Sequence, residues 1–166
     1  MMFLSAQDDL FSPGAKAEQV YYVVSGVLDY VQEPGVTPAS CRTVMQVREG
    51  TWLGKAAFWS EWIHVGQAVA KTPCKLMTVK ADAMCQMMSR HIVIENVAME
   101  YGRSFQQRLV AAEPPQASWP DDLEVPFTEY GDLVVSMSQE MQVAIGMIAM
   151  QQMTTMAQSS SFFAAR

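Results

Sequence analysis

Positive charge is scarce in this chain and nowhere gathered: 11 Lys and Arg are scattered over 166 residues, with no basic stripe. Proteins that hold DNA or RNA neutralise phosphates with clustered cations, so nucleic-acid binding has no electrostatic footprint here. Histidine occurs twice, as His64 and His91. Two imidazoles so far apart exclude a metal centre of the barrel-oxygenase kind, which needs several of them with a carboxylate. Cys41, Cys74 and Cys85 form no CxxC pair and are odd in number, which fits small buried thiols in a reducing compartment better than a disulfide framework. Long apolar runs are missing too. The longest, counting glycine, is Val143 to Met150, far below the roughly 20 residues of a spanning helix. The amino terminus has neither the charged start nor the apolar centre of a signal peptide. The expectation is a cytoplasmic chain that inserts in no membrane by itself, although a parent protein can be membrane-embedded.

Charge of either sign is low, at 17% of residues, while 50% are hydrophobic. Such a chain can fill a core, and its length suits one domain with some additional chain. The net charge of -6 is unevenly placed. Residues 1–112 hold ten cations and ten acids, whereas 113–166 hold seven acids and only Arg166.

The first 80 residues read as strands and turns. Gln19 to Val24 is aromatic and β-branched, Ser25-Gly26 breaks it, and Val27 to Val31 resumes, which is a hairpin signal. Arg42 to Val47, Val65 to Ala70 and Cys74 to Val79 supply further strands, with Thr72-Pro73 as a turn. Leu53 to Ser60 is alanine-rich and predicts a short helix inside the β region. From Ala81 the apolar period changes. Asp82 is expected to cap a first helix, and Val93, Val97, Tyr101 and Phe105 repeat every four residues in a second. Glu113-Pro114-Pro115 ends it. Composition predicts a domain over 1–112, with a roll over 8–80 and closing helices over 81–111. An acidic Pro-rich linker over 113–132, a Met/Gln-rich tail helix over 133–158 and a disordered end over 159–166 are expected to follow, the whole segment being an appendage.

Catalytic motifs fail on spacing. Gly50-Thr51-Trp52-Leu53-Gly54-Lys55 has three residues between its glycines where a phosphate loop has four, and Ala56 stands where a Ser or Thr would hold Mg²⁺. Gly-x-Ser-x-Gly is absent, so no enzyme is expected.

Tyr21-Tyr22-Val23-Val24-Ser25-Gly26, then Glu49-Gly50-x-x-Leu53-Gly54-Lys55-Ala56-Ala57-Phe58, then Ala68 to Leu76, followed by two helices, together resemble the cyclic nucleotide-binding domain family over about residues 8–110. Trp59-x-x-Trp62 and Glu100-Tyr101-Gly102-Arg103-x-Phe105 are similar in flavour to the cytoplasmic domain of voltage-gated, cyclic-nucleotide-regulated potassium-type channels. The resemblance implies an α+β fold: an antiparallel β-roll with a short phosphate-binding cassette helix, closed by C-terminal helices. It implies cAMP or cGMP as ligand, contacted by Leu53, Gly54, Lys55, Ala56, Ala57, His64 and Val65. In the family a glutamate of the cassette accepts from the ribose hydroxyl and an arginine pairs with the phosphate. Here Lys55 and His64 stand in those places. Lysine only donates, and histidine lacks the guanidinium fork. The expectation is therefore a regulatory module with a degenerate pocket and weak nucleotide binding at most. The alternative is an assembly module that binds none and self-associates or meets an effector through its closing and tail helices.

Overall fold

The computed structural model describes residues 1–35, 37 and 41–164, with side chains through Thr154. Among the described residues, eight antiparallel strands in two sheets make the first half. They are β1 (Met2–Leu4), β2 (Asp9–Phe11), β3 (Gln19–Ser25), β4 (Leu28–Gln32), β5 (Thr43–Val47), β6 (Trp52–Leu53), β7 (Gln67–Ala70) and β8 (Cys74–Lys80). One sheet runs β1-β8-β3-β6, the other β2-β7-β4-β5. This is the expected α+β roll. It begins upstream of residue 8, because Met2 to Leu4 pairs with Leu76 to Cys74.

Register within the second sheet sets large core residues beside small ones. On β4, Leu28 lies opposite Ala70 and Tyr30 opposite Ala68. Each large side chain has a small one beside it on the neighbouring strand, which leaves it room toward the core. All four are fully buried, together with Val23, Leu53 and Leu76. The β3–β4 turn depends on Gly26, which has a positive φ of 97° and would place a Cβ 2.6 Å from both Cys74 Sγ and Pro73 O. Neither the conformation nor the space admits a side chain.

The interruption predicted as a helix is a single 3₁₀ turn, Lys55–Phe58, entered through Gly54 in the left-handed region. Two helices follow the roll: α1 (Ala81–Met88) and α2 (Ile92–Ala111). Asp82 lies in the first turn of α1, but Lys80 occupies the cap position and no side-chain capping bond forms. Tyr101 and Phe105 of α2 meet Trp59 at ring-centroid distances of 4.8 and 6.3 Å, fixing α2 beside the cassette. Gly102 makes room for this contact, since a Cβ there would lie 3.0 Å from the Trp59 ring.

The chain after Glu113 does not hang free. Residues 113–116 are exposed, but Val125 and Leu133 are buried with Ala56 and Phe105. The expected tail helix is two helices, α3 (Tyr130–Ser136) and α4 (Gln139–Ala164). Helical structure thus continues through most of the expected disordered end, and residues 165 and 166 lie outside the described ones. Side chains of α2 hold the segment: Arg108 donates to the Phe127 and Asp132 carbonyls, and Glu100 accepts from the Ser138 amide and hydroxyl. Among the described residues no helix is long and apolar enough to cross a membrane.

Candidate functional site

Gly54 at the entry to the cassette turn, the loop before β7 and strand β4 converge on one residue, Asp122. This residue belongs to the stretch expected as a solvated linker, yet it is only 1% exposed. Burying an unpaired carboxylate would cost several kcal/mol, so its partners decide whether the arrangement holds. Oδ1 accepts from Trp62 Nε1 at 2.8 Å and meets His64 Nδ1 at 2.7 Å. Oδ2 accepts from the Tyr30 hydroxyl at 2.8 Å, the Val65 amide at 3.0 Å and the Gly66 amide at 2.9 Å. With Asp122 ionised, His64 Nδ1 carries the proton it donates. Gly54 N completes the contact by donating to the Asp122 carbonyl at 2.6 Å.

These donors are rigidly placed. His64 is 3% exposed and its ring stacks on Phe11 at 3.7 Å and 5°. Tyr30 is held under Gly66, where an added Cβ would come within 2.4 Å of the ring. Burial pushes the Asp122 carboxyl up, but hydrogen bonds from His64, Trp62, Gly66 and Tyr30 outweigh that and hold it below the ordinary carboxylate range. Burial also raises the Tyr30 hydroxyl far above its usual value, with the Asp122 charge acting in the same direction, so Tyr30 remains a donor.

Asp121 shapes the segment. Its Oδ1 accepts from the Leu123 and Glu124 amides, both at 2.8 Å, and its Oδ2 accepts from Gln32 Nε2 at 3.1 Å. The resulting turn directs Leu123 onto the roll core and Val125 into the cluster beside Phe105. Between Lys55, Ala56 and the segment there remains a crevice of about 10 Å³, room for about one water.

The residues expected to contact a ligand divide accordingly. Gly54, His64 and Val65 come together on Asp122. Leu53 is buried in the roll, Ala56 and Ala57 face two separate apolar clusters, and Lys55 is exposed. Gly66, Tyr30 and Trp62 are donors that the sequence reading missed. Among the described residues no three His, Cys, Asp or Glu gather as a metal site.

Residues 1–91 match the family described as "Cyclic nucleotide-binding domain". No curated protein matches the chain. Among solved structures, the N-terminal domain of a transcriptional regulator from Streptomyces coelicolor A3(2) is similar at TM-score 0.53 and 15% identity, covering 66% of this chain and 75% of that one. A putative cAMP-binding regulatory protein from Silicibacter pomeroyi DSS-3 is similar at TM-score 0.50 and 22% identity, covering 66% of this chain and 50% of that one. This chain thus matches about half the length of the Silicibacter protein. The C-linker and cyclic nucleotide-binding homology domain of zELK channels, crystallised in the presence of cAMP, is similar at TM-score 0.47 and 16% identity, covering 57% and 45%. That likeness is too loose to bear on a channel setting. At these identities the solved structures speak for the roll, and the family match over more than half of the chain assigns it: the chain belongs to the cyclic nucleotide-binding domain family.

Proposed function

We propose that this chain is a regulatory module whose nucleotide pocket is degenerate and is filled by its own residues 121–125. The observation that carries the reading is the buried Asp122 carboxylate. It lies on His64, which stands where the resemblance puts the phosphate-pairing arginine, and on the amide of Val65, another residue expected to contact the ligand. A carboxylate and a cyclic phosphate are both monoanions with two free oxygens, so one can stand in for the other on the same donors. Lys55 in place of an acceptor weakens the ribose contact independently of this occupancy. A nucleotide would have to displace a tethered competitor and recover less than the usual set of bonds. The module is read as part of a larger signalling protein, of which an ion channel is one kind.

His64 changes meaning in this arrangement. In an open pocket it is a poor substitute for arginine; facing Asp122 it completes a hydrogen-bonded pair. Restoring the family residues with K55E/H64R should therefore fail to restore binding, because an arginine at 64 would pair with Asp122 and strengthen the occupancy. Adding D122A should release it. Calorimetry with cAMP and cGMP tests this: no heat is expected from wild type or K55E/H64R, and about a hundredfold or greater gain from the triple variant. Submicromolar nucleotide binding by the unmutated chain would overturn the reading.

A further inference from the structure

Resting on that reading, we infer that the pocket is a recognition site for an acidic peptide turn, and that a partner protein carrying Asp-Asp-Leu-x-Val can occupy it in trans. The donors accept more than an isolated anion. Asp122 places its carboxylate on Tyr30, Trp62, His64, Val65 and Gly66, while its carbonyl takes the Gly54 amide. That last bond reads peptide backbone. Asp121 is read by Gln32 and folds the turn through the Leu123 and Glu124 amides. Leu123 packs on the roll and Val125 on the face beside Phe105. Side-chain charge, main-chain carbonyl, turn shape and two apolar anchors are thus all matched over five consecutive residues. Lys55, exposed at the rim of the same crevice as Glu124, adds a favourable sign for an acidic ligand.

The chain's own turn is joined to α2 by the short stretch 113–120, so it competes at an effective concentration on the order of millimolar. A free peptide should gain access only when the internal turn is weakened.

The test uses the full chain and a labelled peptide spanning residues 117–127, followed by fluorescence anisotropy. Wild type should bind it at least about tenfold more weakly than D122N, whose internal turn has lost its charge. D122N should in turn prefer this peptide at least about tenfold over one carrying alanine in the place of Asp122. If D122N melts below the assay temperature, L123A, which keeps the carboxylate and removes an anchor, provides the same readout. Equal affinity for both peptides overturns the inference. Uptake of cAMP but not of peptide by the opened variant also overturns it, while leaving the self-occupied pocket standing; submicromolar cAMP binding by wild type would instead remove the reading beneath it. A concentration-dependent wild-type dimer that D122N abolishes would assign the trans site to a second copy of this chain and overturn the partner reading.

Discussion

Asp122 brings a full charge into the interior and meets it with five donors on the two oxygens, which makes it the residue whose loss should be felt most. D122A would strand several buried donors at about 1 to 3 kcal/mol each, so a loss of about 4 kcal/mol is expected. In a domain of this size that corresponds to a fall in Tm of about 8 to 16 °C, measurable by calorimetry. The effect should depend on pH with a definite sign. Because the folded carboxyl titrates below its unfolded value of about 3.9, its contribution is complete above about pH 4 and is lost as pH falls through the folded value. The Tm difference between wild type and D122N should therefore shrink below about pH 4. Asp121 acts the other way. Burial, joined by the Asp122 and Glu124 charges, raises its carboxyl despite the Glu124 and Leu123 amides, so acidification relieves it, and D122N relieves it too by removing one of those charges. A pH-independent difference would mean that the carboxylate contributes only shape. Gly66→Ala probes the same site from the opposite side. Its Cβ would strike the Tyr30 ring at 2.4 Å, and a rigid aromatic can yield only by moving its hydroxyl off Asp122. Destabilisation of about 1 to 3 kcal/mol is expected in denaturant unfolding.

At the scale of elements, the strands were legible because short β-branched and aromatic runs bounded by turn residues have one physical use, and β3, β4, β5, β7 and β8 lie within a residue or two of where those runs place them. The cassette turn was legible as an alanine-rich break between strands. What was not legible is the element that occupies it. Asp121-Asp122 among prolines and acids reads as solvated chain, since an acid is rarely buried unless paired. Its partners stand 56 to 92 residues earlier in the sequence, beyond any local pattern. One signal was present: Leu123 and Val125 flank the exposed Glu124, as apolar residues do when one side of a chain is covered. It ends at Val125, because Pro126 is buried beside it and Phe127 is exposed. Leu133 of α3 tests whether the segment is structural. It is fully buried against the α2 face, and Leu133→Ala should cost about 2 to 5 kcal/mol in chemical unfolding. A neutral effect would return the segment to the status of an appendage.

For the molecule as a whole, the boundary suggested by composition at Glu113 separates residues that fold together. Ending the chain there removes Asp122, Val125, Leu133 and Met137, all buried, and uncovers Phe105. Each apolar side chain of that set contributes about 1.5 to 3 kcal/mol, so truncation should lower Tm by well over 10 °C. Brief proteolysis should still cut first within the exposed stretch 113–116. The two fragments should then migrate together on gel filtration, because the contacts that join them lie on either side of the cut. Separation of the fragments would show that the covalent connection, and not packing, keeps them together.

The distance along the chain between Tyr30 and Asp122 also sets an order in time. A ribosome adds about 5 to 20 residues each second, and the roll is complete in sequence at Lys80. Roll and Asp122 leave the ribosome by the same path, so the roll's donors reach solution about 2 to 8 s before Asp122 does. During that interval the newborn roll is open to whatever small anion or acidic peptide is at hand, and the finished molecule closes over a site that its own synthesis first left exposed.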